Sequence, residues 1–524
     1  MSTGRPPGPR LFIKKSIDQV IKESQSHALK RTLGPINLVL FGIGCIIGAG
    51  IYVMTGNAAA TYAGPGVMLS FVIAGIACAF AGLCYAELAS TMPVAGSAYT
   101  YAYTTQGELM AWTMGWLLVL EYGIAAATVA AGWSGNVLSL LHQYGIDIPT
   151  ALSTSYVVAT PDANGVLQFS TGNGFNLVAA AGILAVTALL VVGVSESATV
   201  NNIIVFIKVG VLLAFIGMGV AYINIDNYTP FIPENTGNFG TYGISGVFRA
   251  ASVIFFAYVG FEAVSTAAAE AKNPQKDMPV GILGSLFVCT LIYMAVAAVL
   301  TGIVPYKELG VAAPVALAAD RMGVEWFSVF IKVGTIAGLT SVMLILTYGQ
   351  SRVFYAMARD GLLPRAFATL HQSFRTPWIG TVILGVLIAI VAALLPIQIL
   401  GDLVSLGTAV AFAIVCLAVL ALRKSRPDLP RPFRAPGGAL TPMLGVLFAM
   451  IMIAPLAIDI FVKAQKGDTI PAMLLGGYIA AGVLIYVFYG FWNSRLAKGL
   501  DILEDTTMTS PLEAGGKGID DPRS

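Results

Sequence analysis

Residues 42–50 read Gly42-Ile-Gly44-Cys-Ile-Ile-Gly48-Ala-Gly50, four glycines in nine residues. They sit inside an apolar run that begins near Ile36. A spanning helix needs about 20 apolar residues at 1.5 Å rise each, which puts this cluster near a bilayer midplane. Irregular backbone at that depth persists only where protein buries it or where it lines a cavity, because each unsatisfied amide or carbonyl in hydrocarbon costs several kcal/mol. A second interruption, Ala257-Tyr-Val-Gly260-Phe-Glu262, lies mid-way along the sixth apolar run, five spans later. Glycines also serve simply to let helices pack closely. Paired interruptions in two five-helix halves point instead to an inverted-repeat transporter whose site lies at the repeat interface.

Composition supports a lipid environment. Of 524 residues, 57% are hydrophobic and 11% charged, less than half the roughly 25% charged fraction of soluble domains. Glycine, at 57 residues, suits close helix contacts and interrupted helices. The net charge of +2 gives no reason to expect a nucleic-acid partner. All five cysteines (Cys45, Cys78, Cys84, Cys289, Cys416) fall in apolar segments, so no structural disulfide is expected. A P-loop, an HExxH zinc motif, a CxxC pair and a GxSxG elbow at a plausible turn are all missing from the sequence. ATP-driven transport and membrane hydrolysis therefore have no support, and no enzyme is expected.

The expected architecture is an all-α integral membrane protein. Twelve candidate spans lie near residues 36–61, 66–91, 108–134, 174–194, 198–222, 244–270, 279–303, 326–354, 377–395, 402–422, 441–463 and 471–492. Lys and Arg are retained in the cytoplasm. With the N-terminus inside, 22 of the 29 Lys and Arg fall on the cytoplasmic side and four outside; both termini are therefore expected inside. The loop from Gly135 to Asn173 has neither residue, as an exoplasmic loop should. Ile17, Val20, Ile21, Ala28 and Leu29 recur at helical spacing, which suits either a short interfacial helix or a plain solvated tail. The glycine- and aspartate-bearing C-terminus reads as disordered.

At the first interruption, a half-helix restarting after Gly48 and Ala49 would present free N–H groups and a positive dipole end to a carboxylate. Carbonyls around Ile46, Phe256 and Tyr258 would face an ammonium. The candidate substrate-binding set is Ile46, Gly48, Ala49, Gly50, Phe256, Ala257, Tyr258, Val259 and Glu262, able to hold both ends of a zwitterion.

Several stretches together resemble the amino acid–polyamine–organocation superfamily, most closely its cationic amino acid transporter subfamily. They are Leu29-Lys-Arg-Thr-Leu33-Gly34, Gly42 to Tyr52, Tyr85-Ala-Glu-Leu-Ala-Ser90, Met92-Pro-Val-Ala-Gly-Ser-Ala-Tyr99, Phe255-Phe-Ala-Tyr-Val-Gly-Phe261 and Arg426-Pro-Asp-Leu-Pro-Arg-Pro-Phe433. The resemblance runs from about Leu29 to Asn493. It implies a LeuT-type 5+5 inverted repeat with broken helices 1 and 6 plus two C-terminal helices, moving amino acids by alternating access in a bacterial inner membrane. On that plan residues 1–35 form a cytoplasmic segment, 36–222 the first repeat and 223–395 the inverted second. Residues 396–492 hold the remaining helices with the end of helix 10, and 493–524 the tail. The expected partners are an amino acid and the lipid bilayer; a small accessory membrane subunit is left open, as are an exchanger and a non-cycling receptor on the same fold.

Lys208 lies ten residues into the fifth span, roughly 15 Å deep, beyond the reach of a snorkelling lysine. Charges at such depth are usually functional. In proton-coupled members of the superfamily a lysine here replaces a structural sodium, which implies contacts with the Gly42 carbonyl and the hydroxyls of Thr340 or Ser341. No cofactor is expected, with a proton as the coupling ion; the alternative is a lysine that only braces helices. Glu262 either reads a cationic substrate side chain or joins Glu121 in a structural or proton-relay network, leaving the site to neutral amino acids. Glu87 and Arg352 either close a cytoplasmic gate or brace helix ends. Phe256, Tyr258 and Phe261 form either a lid or simple packing, and Arg249 is expected to reach the interface.

Overall fold

The structure, a computed structural model, describes residues 10–17, 20, 33–93, 97–161, 166–193, 198–374 and 376–499. Most of the expected N-terminal helix (Ile21, Ala28, Leu29) and the C-terminal tail from residue 500 lie outside the described residues. The part that is described packs onto the protein. Ile13 and Ile17 are buried, the Ile13 carbonyl accepts the Glu108 N–H at 3.0 Å, and Lys15 Nζ donates to both Asp360 oxygens at 2.6 and 2.7 Å.

The chain is an all-α membrane protein. Among the described residues nine helices are long and apolar enough to cross a membrane, and three shorter ones, Pro35–Ile46, Leu177–Val192 and Trp378–Leu394, are apolar. We number the main helices α1 (Pro35–Ile46), α2 (residues 50–63), α3 (Val67–Thr91), α4 (Ser97–Thr105) and α5 (Glu108–Gln143). There follow α6 (Leu177–Val192), α7 (Ala198–Gly219), α8 (Gly243–Ile254), α9 (Pro274–Ile303) and α10 (Pro314–Arg321). The last are α11 (Glu325–Arg359), α12 (Trp378–Leu394), α13 (Ile397–Ser425), α14 (Leu440–Gln465) and α15 (Ile470–Asn493).

Burial separates the inner helices from the outer ones. In the most apolar stretch, 83% of the span containing α8 is buried and 72% of α5 and of α13, against 28% of α14 and 11% of α15. The outer surface carries large apolar side chains such as Phe206, Phe287 and Phe488, a pattern stable in hydrocarbon and costly in water. In the centre, α9 packs on α1 and α3, while α11 packs on α5 and α7.

The Gly135–Asn173 loop holds a feature the charge count did not reveal. Strands β1 (Val157–Pro161) and β2 (Leu167–Thr171) pair antiparallel. This hairpin docks on the end of α14, where the Phe169 N–H donates to Asp468 Oδ2 at 2.9 Å and the Lys463 ammonium lies 4.8 Å from the centre of the Phe169 ring.

Candidate functional site

Both glycine-rich stretches are broken. Pro35 at the first turn and extended Gly34 before it start α1, a position where the missing proline N–H costs nothing. The helix stops at Ile46; Ile47 is extended (φ −70°, ψ 104°), Gly48 bends, and winding resumes at Gly50 with a π-type turn through Met54. The amides of Gly48, Ala49 and Gly50 thus stand at the restart, where a helix has no carbonyl of its own to offer them. In the second stretch α8 tightens into a 3₁₀ turn over Phe255–Tyr258. Val259 is extended, Gly260 takes φ 115°, and a 3₁₀ segment then runs over Phe261–Glu270. That φ is a left-handed conformation that glycine adopts without strain.

The breaks touch. A Cβ on Gly50 would lie 2.2 Å from Ala257 Cα, and one on Gly260 would lie 2.6 Å from the Cys45 carbonyl oxygen. The Tyr293 hydroxyl, carried by α9, lies 2.9 Å from the Ile46 carbonyl oxygen and 3.1 Å from that of Ala257. One side chain therefore spans both breaks. Of the other expected acceptors, the Phe256 carbonyl takes the Val259 N–H at 3.1 Å and closes its own turn. Tyr258 is anchored by donating to the Phe71 carbonyl at 2.9 Å, and Phe261 sits in a ring cluster with Tyr85 and Phe412. Both aromatics are packed in this structure.

Lys208 is 1% exposed. Its ammonium donates to the Gly44 carbonyl at 2.8 Å and more weakly to that of Ile47 at 3.4 Å, so the recorded acceptors flank the break, whereas Gly42 was expected. A Cβ added at Gly42 would lie 2.5 Å from Ser285 Oγ of α9. On α11 the lysine stem packs at Gly338. Thr340 is turned away: its hydroxyl donates to the Ile336 carbonyl at 2.8 Å and accepts the Trp133 indole N–H at 3.0 Å. Ser341 donates back to Gly338 at 2.9 Å.

Glu262 caps its own break, accepting the Gly260 N–H on Oε2 at 2.8 Å. Its Oε1 and both oxygens of Glu121 are buried without a hydrogen-bond partner. The two carboxyls lie close enough to interact with one another and with Tyr122. Glu121 occupies a π-type turn, Val119–Ile124, within α5, a distortion frequent at functional positions.

Two expected charge placements are corrected. Glu87 pairs with Arg423 of α13, whose guanidinium donates to both carboxylate oxygens, and accepts the Ala435 N–H at 2.8 Å. Arg352 lies instead 4.9 Å from the centre of the Tyr348 ring, so the two are not paired with one another in this structure. Arg249 does not reach the interface. It is 1% exposed, and its guanidinium donates to both Asp402 oxygens at 3.1 and 2.9 Å and to Asp459 at 3.0 Å, stacked 4.7 Å from the Tyr62 ring. Among the described residues no cluster of His, Cys, Asp and Glu has the makings of a metal site.

Comparison with known proteins identifies the family. The amino acid permease family matches residues 33–481. The branched-chain amino acid permease BcaP of Bacillus subtilis (strain 168) is 43% identical over 93% of this chain and 99% of its own length. The methylthioribose transporter of the same organism shows the same identity and coverage. Cationic amino acid transporter 4 of Arabidopsis thaliana, vacuolar, is 36% identical over 80% of this chain and 68% of its own. A multi-pass helical membrane chain with two broken helices in contact, matched along most of its length by permeases, is a transporter, and it belongs to the amino acid permease family of the amino acid–polyamine–organocation superfamily.

Proposed function

We propose that this chain is a proton-coupled amino acid symporter of a bacterial inner membrane. It works by alternating access on a twelve-span LeuT-type 5+5 fold, with both termini in the cytoplasm. The observation that carries the reading is the contact between the breaks at Gly50 and Ala257. A small zwitterion there meets the helix restart at Gly48, Ala49 and Gly50 with its carboxylate and the carbonyls of both breaks with its ammonium. Lys208, held by the Gly44 and Ile47 carbonyls, links its own protonation to the shape of the first break. Losing the proton removes the charge that strengthens both hydrogen bonds and loosens the turn.

The substrate is a neutral amino acid. Glu262 already caps Gly260 and lies beside Glu121, which leaves it poorly placed to pair with a cationic side chain. The name of the Bacillus relative, a branched-chain permease, supports the same class. The equally similar methylthioribose transporter makes a sugar thioether the second reading.

The test is uptake by the purified protein in proteoliposomes. The panel is Ala, Leu, Arg, Lys, Glu and methylthioribose, under an imposed pH gradient and separately under a sodium gradient. Ala and Leu are expected to accumulate when the outside is acidic. Uptake driven by sodium and indifferent to pH removes the Lys208 coupling, and accumulation of methylthioribose alone replaces the substrate. Glu262→Gln is expected to depress Leu and residual Arg uptake together; loss of Arg alone would return Glu262 to the substrate side chain.

A further inference from the structure

The acceptors at the breaks are divided among different donors. Gly44 and Ile47 belong to Lys208, and Phe256 is taken by the backbone. The Ile46 and Ala257 oxygens face the Tyr293 hydroxyl at 2.9 and 3.1 Å. A phenol has one proton to give, so that proton is shared between oxygens of opposite breaks. The ring is fully buried between Phe71 and Tyr258, with centroids 5.4 and 5.7 Å away. An ammonium carries three donors and would satisfy both oxygens at once.

We infer that Tyr293 is the stand-in donor of the empty transporter. Its hydroxyl occupies the Ile46 and Ala257 carbonyls while no substrate ammonium is present and gives them up on binding. The inference rests on the transport reading above and adds a positioning residue to it. Net uptake requires the protein to turn back empty, and during that return two buried carbonyls would otherwise lack a partner, which is costly in a dry interior. Exchange crosses loaded in both directions and has no need of the hydroxyl. The split between net uptake and exchange is therefore the signature of the role, one that a merely structural tyrosine would not produce.

Tyr293→Phe keeps the ring and removes only the oxygen. Uptake of Leu into empty proteoliposomes is expected to fall about tenfold, while counterflow into vesicles preloaded with Leu stays within about twofold. An equal fall in both modes, or no change in either, overturns the inference. A second measurement covers a poorly folding variant. The unfolding midpoint of the purified variant is expected to fall without Leu and to recover under saturating Leu, and a deficit of equal size in both conditions overturns the inference as well. Wild-type protein that exchanges Leu without any net uptake sinks the inference and leaves a transporter. Wild-type protein that moves no amino acid in either mode sinks the transport reading itself.

Discussion

Gly50→Ala is the sharpest perturbation of the meeting point. The added Cβ would lie 2.2 Å from Ala257 Cα, 2.4 Å from Ala257 Cβ and 3.0 Å from Ala257 N. Carbon atoms pack at about 3.5–4.0 Å, so the breaks must part by roughly 1.3 Å, and two of the three obstructing atoms are backbone that cannot rotate away. Overpacking of this kind costs about 1–3 kcal/mol. The Tyr293 hydroxyl, now 2.9 and 3.1 Å from its two acceptors, cannot follow both sides of a widening gap, and a lost hydrogen bond adds about 1 kcal/mol. The sum, about 2–4 kcal/mol against the conformation that joins the breaks, corresponds to a fall of roughly 30- to 700-fold in uptake. Gly217→Ala serves as the control: it lies within α7 and nothing stands within 4 Å of its added methyl. Rates are compared in proteoliposomes, normalised to protein that elutes as a monodisperse peak. Gly50→Ala transporting at the wild-type rate would mean that the working protein does not bring these two segments together.

Two further substitutions test the buried charges. Lys208→Ala is expected to abolish accumulation of Leu driven by an imposed pH gradient; accumulation that survives with its pH response intact removes the lysine from coupling. Arg249→Ala leaves Asp402 and Asp459 without the guanidinium they share, and breaking a buried pair costs about 3–5 kcal/mol. A marked drop in the unfolding midpoint in detergent is expected, and an unchanged midpoint would show that the cluster contributes nothing to holding α8 against α13 and α14.

The sequence placed the breaks because glycine at midplane depth has few explanations, and depth follows from counting residues. Facing does not. A helix turns about 100° per residue, so Gly42 and Gly44 sit on widely different sides of α1; the depth of Lys208 was readable but its acceptors were not. Glu87 and Arg249 escaped for another reason. Their partners lie 336 residues away at Arg423, and 153 and 210 away at Asp402 and Asp459, and no local pattern announces such pairs. Tyr293 reads as ordinary packing, since an aromatic in an apolar helix carries no mark of the carbonyls above it. The hairpin did leave a trace, in Val157-Val-Ala-Thr and Leu167-Gln-Phe-Ser-Thr on either side of Asn164-Gly165, a combination that favours paired strands. Reading that loop only for its missing charges passed over it.

The halves of the two broken helices are tied crosswise. At one end the Leu33 N–H donates to the Glu270 carbonyl at 3.1 Å and the Lys272 N–H to Leu33 at 2.8 Å, joining the start of α1 to the segment after the second break. At the other end the Tyr242 N–H donates to the Tyr62 carbonyl at 2.8 Å and its hydroxyl to Ala60 at 2.6 Å, joining α2 to the start of α8. Two pairs result, each containing half of both broken helices, and they meet where the helices are interrupted. The Ile46 and Ala257 oxygens that Tyr293 bridges belong to different pairs, so a movement of one pair against the other would alter their spacing. A donor that bridges them, whether the Tyr293 hydroxyl or the ammonium proposed to replace it, is bonded to both pairs at once, and under the proposed alternating-access mechanism binding and gating would be one event.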